Sequence, residues 1–324
     1  MDGTFDCHRN GDLVQRHPVG SLDFQIHNAF TTNIFGGNPA VIIFLNEMLP
    51  DNVLEKINAN FNQPIVVYVS LPTSDTPLPE GRARFGLRWF GPTNEVHICG
   101  HGTLAAAEAI FRSLDSKKHI TVLEFETLSG ILTAHRVDDQ ISMELPAGST
   151  IPASPEEEAA VAEIFAGALA KPSVKLNYVG YGGSGFTNYL LVEVDTTENL
   201  GQWKPDVSFF AKLAPRTQIL VVTSASETEG IAYETRMFGP TIGVPEDHVC
   251  GSAHCLNAPY WARKSQQEFT AGGYTDGKRQ HAKAVSARGG DIWASYSSAA
   301  KRVQIYGHVK SVAVGTLDLS DISV

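Results

Sequence analysis

The stretch Phe90-Gly91-Pro92-Thr93-Asn94-Glu95-Val96-His97-Ile98-Cys99-Gly100-His101-Gly102 decides how this chain is read, because a second version of it follows. That version runs Phe238-Gly239-Pro240-Thr241 and, after eight residues, Cys250-Gly251-Ser252-Ala253. The Phe-Gly-Pro-Thr blocks lie 148 positions apart and the cysteines 151, so the copies differ by a three-residue insertion. Each copy follows a run of alternating apolar residues and precedes a helix-like run. Self-similarity over half a chain predicts two related halves. Two halves meeting head to head would bring two Cys-Gly turns, each opening a helix, to one cleft.

Such turns suit one kind of chemistry. A helix start offers unpaired N–H groups and the positive end of the helix dipole. Glycine lets a carboxylate approach the backbone closely. A thiol there is expected to have a lowered pKa and to serve as a base. Two such thiols on opposite faces of one carbon could remove a proton from one side and return it on the other. The plainer reading is that either cysteine is a small buried hydrophobe.

The 324 residues suffice for two domains. A hydrophobic content of 43% and 29 glycines fit a globular, strand-rich protein. The net charge of −10 argues against a nucleic-acid or anionic-membrane surface, yet leaves room for an anionic substrate held by local N–H groups. The four cysteines, Cys7, Cys99, Cys250 and Cys255, form neither a metal-like pair nor a disulfide scaffold. No apolar run reaches membrane-spanning length, and the polar residues 1–20 lack a signal-peptide centre. A cytoplasmic, reducing setting is the expectation.

Residues 1–20 read as a flexible lead-in, 21–119 as the N-terminal half and 120–324 as the C-terminal half, with closing strands free to cross between them. Strands are expected at 21–30, 40–45, 65–71 and 85–90, and a helix at 51–60. An Ala-rich helix at 103–114 follows the first Cys-Gly turn. A strand meander at 122–145 opens the second half. Ser154-Pro155-Glu156-Glu157 starts a helix with a capping residue, a first-position proline and acids in the first turn. The glycine-rich 180–185 lacks a Gly-Lys-Ser/Thr ending and reads as a hairpin loop, not a phosphate loop. A helix at 207–213 and strands at 218–223 and 233–238 lead to the second turn, and 254–264 is its helix. Residues 265–283 read as a loop and 301–314 as a closing strand. Both halves come out as α/β, a mixed sheet wrapped round a central helix.

Four blocks, in order, resemble one family. They are Gly37-Asn38-Pro39-Ala40, the run from Glu95 through Cys99-Gly100-His101-Gly102 to Ala105, the run from Gly243 through Cys250-Gly251-Ser252-Ala253 to His254, and Ser286-Ala287-Arg288-Gly289-Gly290. Over residues 22–315 the chain resembles the PhzF family, phenazine-biosynthesis isomerase-like proteins of the diaminopimelate-epimerase fold. That resemblance implies two pseudo-symmetric halves, an interdomain active site, no metal and no cofactor, and isomerisation or epimerisation of small carboxylic acids. A small-molecule acid is the expected partner, and a homodimer is compatible with it. The chain departs from the family at one point. By alignment Ile65, in Asn62-Gln63-Pro64-Ile65-Val66, stands where a PhzF-type isomerase has its catalytic glutamate. With Cys99 and Cys250 both present, the sites resemble the two-cysteine racemases and epimerases of the superfamily more closely.

The candidate catalytic residues are therefore Cys99, Cys250, His101 and Asp247. His101 reads as an acid–base or substrate-contacting group, or else as a packed helix-start histidine. Asp247 reads as an orienting group or base, or else as a turn carboxylate. Gly100, Gly102, Gly251, Ser252 and Ala253 would hold the carboxylate, and Asn38 a loop at the cleft edge. Glu95 and Glu246 read as carboxylates of the helix approach, and His254 and Cys255 as packing. Three functions stay open. They are a two-base racemase or epimerase, a single-base tautomerase, dehydratase or cyclase using Asp247 or His101, and a non-catalytic binding protein that kept the fold.

Overall fold

The computed structural model describes residues 21–74, 76–92, 94–114, 119–268 and 276–320. The lead-in, Cys7 and Thr93 lie outside them. The chain divides into two compact units, one holding the described residues up to Met143 together with those from Gly307 onward, the other Glu144–Tyr306.

The first unit is built from β1 (Ser21–Ala29), β2 (Asn38–Leu45), α1 (Asp51–Phe61), β3 (Val66–Ser70), β4 (Arg82–Phe90), the short β5 (Glu95–Val96), α2 (Gly100–Ser113), β6 (Val122–Thr127), β7 (Gly130–Val137) and β8 (Gln140–Pro146). The second contains β9 (Thr150–Pro152), α3 (Pro155–Leu169), β10 (Leu176–Gly182), β11 (Tyr189–Val194), β12 (Ile219–Ala225), β13 (Tyr233–Gly239), β14 (Val244–Asp247), α4 (His254–Glu268), β15 (Gln280–Ala284), β16 (Gly290–Ser297) and β17 (Arg302–Gly307). The last strand, β18 (Val309–Asp318), returns to the first unit and pairs with β1.

Strand pairing makes the internal repeat explicit. The first sheet runs β18-β1-β2-β3-β4-β6-β7-β8. The second runs β9-β10-β11-β12-β13-β15-β16-β17. Both follow one sequence of pairings: antiparallel, antiparallel, parallel, antiparallel, parallel, antiparallel, antiparallel. In both, a short strand pairs antiparallel with the end of the central strand, β5 with β4 and β14 with β13.

The elements form for local reasons. β2 is apolar from Pro39 to Leu45 and buried along its whole length, as a strand covered on both faces must be. One face, Val41, Ile43 and Leu45, packs with Val53, Leu54 and Ile57 of α1 and with Tyr68 and Phe90. On the other face Val67 and Trp89 lie against the first turn of α2, which is buried along most of its length. α3 begins with the expected capping residue, which forms a capping box, Ser154 accepting from Glu157 N–H while Glu157 accepts from Ser154 N–H. Its apolar side, Val161, Phe165 and Ala168, joins Trp203, Phe210 and Phe238 in the second core.

Three expectations need correction. The boundary at 119/120 does not match the compact units. β6 pairs in parallel with β4, Arg82 against Val122, so the 122–143 meander extends the first sheet. Residues 265–283 are not all loop, since α4 runs to Glu268 and β15 begins at Gln280. The 301–314 strand is two, β17 and β18, broken at His308. No helix among the described residues is long and apolar enough to cross a membrane.

Candidate active site

Each Cys-Gly turn is held by the same device. In the first unit Gly91 N–H bonds Asn94 O at 2.9 Å, turning the chain so that β5 runs back along β4. Arg88 of β4 then grips Glu95 of β5 with two parallel bonds, 2.7 Å from Nε and 2.5 Å from the terminal nitrogen. Asp51 takes a third bond at 2.9 Å, and the guanidinium stands 5.1 Å from the Phe90 ring. In the second unit Arg236 of β13 grips Glu246 of β14 in the same fork, at 2.7 and 2.9 Å, again 5.1 Å from the following phenylalanine, Phe238. A bidentate guanidinium–carboxylate pair fixes distance and plane together. The three-residue insertion is absorbed by the 3₁₀ turn Pro240–Ile242, which closes at Gly243 with φ +78°.

Beyond the first fork, Cys99 is the residue just before α2, with extended backbone (φ −144°, ψ 106°). Its carbonyl accepts from Thr103 N–H at 3.0 Å and from Thr103 Oγ1 at 2.7 Å, so the backbone opens the helix and leaves the thiol at the helix start. The Cys99 sulfur is 3.4 Å from His101 Nδ1. Gly102 explains the closeness. A Cβ there would sit 3.0 Å from Val67 Cγ2, 3.1 Å from Trp89 Cδ1 and 3.2 Å from the Cys99 sulfur. Cys99 is half-buried, and His101 is buried beneath it.

Beyond the second fork, Cys250 is 7% exposed and packs with Val221, Met237 and Ala253. Its sulfur is 3.3 Å from Ser252 Oγ, which accepts from the Tyr189 hydroxyl at 3.1 Å. The Asp247 carboxylate and the Ala253 N–H also bond this thiol, and Asp247 Oδ1 accepts from Val249 N–H at 3.2 Å. Burial, and next the charge of Asp247, push the Cys250 thiol well above its ordinary pKa; the Ser252 and Ala253 donors pull weakly the other way. The expected lowering at a helix start therefore does not hold for Cys250. Desolvation and a neighbouring carboxylate dominate there, and α4 itself begins only four residues on, at His254.

The structure thus gathers Cys99, Gly100, His101 and Gly102 in one turn, and Asp247, Cys250, Gly251, Ser252 and Ala253 in the other. Asn38 is buried at the start of β2, opposite Ala29. Gly37 before it needs φ +70°, and a Cβ there would fall 2.3 Å from Ala29 O. Ile65 is buried at the entry to β3, its carbonyl accepting from Val41 N–H at 3.1 Å. Glu95 and Glu246 are the carboxylates of the forks, and His254 and Cys255 are core residues. Sequence reading missed Arg88, Arg236 and Tyr189. The arginines carried a signal, since each stands two residues before the repeated Phe-Gly-Pro-Thr. Tyr189 carried none.

Comparison with known proteins gives the family. A model of the family "PhzC-PhzF: Phenazine biosynthesis-like protein" matches residues 27–315. The chain belongs to the PhzC-PhzF family. Among similar PhzC-PhzF relatives, an uncharacterized isomerase of Pseudomonas aeruginosa is 33% identical over 300 residues, covering 92% of this chain and 99% of its own. The human phenazine biosynthesis-like domain-containing protein is 32% identical over 309 residues, with 91% and 99% covered. The solved structure of a PhzF-family phenazine biosynthesis protein from Enterococcus faecalis superposes with a TM-score of 0.74 at 27% identity, covering 92% of this chain and 100% of that one. A hydroxyproline epimerase from Agrobacterium vitis, at 10% identity and a TM-score of 0.52 over 93% of each chain, shares the fold.

Proposed function

We propose that this member of an isomerase family moves the proton α to the carboxylate of a small acid, in the manner of a racemase or epimerase and without a cofactor. Cys99 and Cys250 form its acid–base pair. The observation that carries this reading is the matched build of the two turns. Each places a cysteine before a helix, Cys99 directly ahead of α2 and Cys250 one turn ahead of α4, and each gives its sulfur a hydrogen-bonding side chain two residues on: His101 at 3.4 Å, Ser252 at 3.3 Å.

The roles follow from the surroundings. An α-proton is weakly acidic, so charge building on the carboxylate needs fixed donors, which the N–H groups of Gly100, Gly102, Gly251 and Ser252 supply. Cys250, with its raised pKa, enters as the protonated thiol and delivers a proton to one face. Cys99 enters as the base for the other face, with His101 Nδ1 placed to take its thiol proton. After one turnover the two have exchanged protonation states. Asp247 orients the Cys250 thiol. The buried Ile65 cannot shuttle a proton, which argues against a glutamate-centred hydrogen shift.

The test is solvent-deuterium incorporation across a library of amino and hydroxy acids. Cys99→Ser and Cys250→Ser should each abolish inversion while leaving slow exchange from the opposite face. Full inversion in both would refute the pair. The contact of Asp247 with the Cys250 thiol favours a second reading, a single-base tautomerase, dehydratase or cyclase. In that case Asp247→Asn or His101→Ala would abolish all turnover and the serine variants would stay active. Binding without exchange of any acid would leave the non-catalytic reading.

A further inference from the structure

We propose that Tyr189 is a positioning residue for Cys250. Its hydroxyl orients Ser252 so that the serine's own hydrogen points at the Cys250 sulfur. This rests on the reading of Cys250 as a proton donor, and its test does not need a substrate.

The geometry is a chain of three side chains from two elements. Tyr189 opens β11, and its N–H bonds Phe186 O at 2.8 Å. Its ring meets Phe186 edge-on at 5.3 Å between centroids and packs beside Val221, Met237, Cys250 and Ala253. Fixed there, its O–H donates to Ser252 Oγ at 3.1 Å. A serine hydroxyl has one hydrogen and two lone pairs. Once a lone pair is taken by Tyr189, its hydrogen is free for the nearby acceptor, the Cys250 sulfur at 3.3 Å. The Ala253 N–H reaches the same sulfur. With donors on that side, the thiol hydrogen is directed toward Asp247.

The consequence is a switch of partners as the proton leaves. Before transfer, the thiol hydrogen is held by Asp247. After transfer, the thiolate is held by Ser252 O–H and Ala253 N–H, which already point at it. Tyr189 gives up no proton in this. Burial, and then the nearby Cys250, keep its phenol protonated far above neutrality, so it remains a donor throughout. The groups facing Cys250 in its unit are Asp247 from β14, Tyr189 from β11, and Ser252 and Ala253 from the turn itself; Cys255 adds a weaker electrostatic effect on Tyr189.

The experiment uses the full chain with the other cysteines replaced by alanine and follows Cys250 alkylation by iodoacetamide at fixed pH near 8. Tyr189→Phe keeps the ring and removes only the hydroxyl. Losing one oriented neutral hydrogen bond should slow alkylation about fivefold. Ser252→Ala should slow it at least as much, and Tyr189→Phe added to Ser252→Ala should do nothing further. Ser252→Thr, which keeps the hydroxyl, should restore the dependence on Tyr189. The infrared S–H band of Cys250, read without any reagent, should shift in Tyr189→Phe and stay put when the phenylalanine is added to Ser252→Ala. An unchanged alkylation rate and S–H band in Tyr189→Phe would overturn the proposal, as would equal effects with and without Ser252. Absence of α-proton exchange in the chain with all its cysteines, alongside intact coupling, would fault the isomerase reading while the orientation of Ser252 by Tyr189 still stands.

Discussion

Mild acid should unfold this protein through two enclosed histidines. His254, at the start of α4, is 0% exposed, with its Nδ1 2.8 Å from the Tyr233 hydroxyl. His27, on β1, is also 0% exposed and bonds Gln25 Oε1 at 2.8 Å. Burial lowers His254 to about 3. Burial, aided by the charge of Arg112, lowers His27 to about 4. In the unfolded chain both titrate near about 6.5. The unfolded state thus binds protons that the fold refuses. Stability is full above that pH and falls as pH drops toward the folded values, by about 1.4 kcal/mol per pH unit for each histidine. Between pH 7 and 5 each removes about 2 kcal/mol and the pair about 4. A typical domain has only about 5–15 kcal/mol to lose. The ion-paired carboxylates Glu124 and Glu198, whose pKa values are lowered, act further down; His248, which burial also lowers, adds to the loss, while Glu108 and Glu234, which burial raises, offset part of it, so the histidine contribution is read from the variant against the parent. Urea titrations at pH 7 and 5 measure the effect. His254→Gln keeps an acceptor for Tyr233 and should lose about 2 kcal/mol less than the parent across that span. Parallel losses in the two proteins would refute the reasoning.

Other consequences can be checked as directly. Gly102→Ala should cost about 1–3 kcal/mol by overpacking against Val67, Trp89 and Cys99, and should change the rate of Cys99 alkylation; a neutral effect on both would mean the first turn of α2 yields easily. Arg236→Met should cost about 3–5 kcal/mol, because it strands Glu246 and the carbonyls of Leu200 and Trp203, which the 5% exposed guanidinium serves. Arg88→Met, at a fork whose side chains are 21% exposed, should cost about half as much, and urea midpoints giving the reverse order would count against this account of the forks. With Ile65 buried at the glutamate position, the phenazine-pathway isomerisation should show no turnover in a direct assay; an enzyme-like rate would show that the segment is misaligned.

What the sequence made legible was whatever is local. The repeat, the apolar strand at 40–45, the capping residue Ser154 and both Cys-Gly turns follow from residue types within a few positions of one another. Pairing partners are not local. Nothing in residues 122–145 says that they extend the first sheet, because that depends on β6 lying parallel to β4 across the intervening α2. The same limit applied to the site. A helix start predicts a lowered thiol pKa, and at Cys250 that is overruled by Asp247 and by a wall of side chains drawn from β12 and β13. Tyr189 stood far from either repeat and could only be found once β11 was placed beside the second turn.

The position of β18 bears on how the chain is made. In the second unit the outermost place of the sheet is filled by β9, which precedes its neighbour β10 by a few dozen residues at most; in the first unit the same place is filled by the last strand, with Ser21 against Asp318. Synthesis proceeds from the amino end, so the second unit has every strand of its sheet to hand while the first still waits for its final one. Until then β1 is an open edge carrying unpaired backbone groups, the kind of surface that invites pairing with another nascent chain. A ribosome that stops before Val309 would release a protein with both cysteine turns present and that edge permanently uncovered.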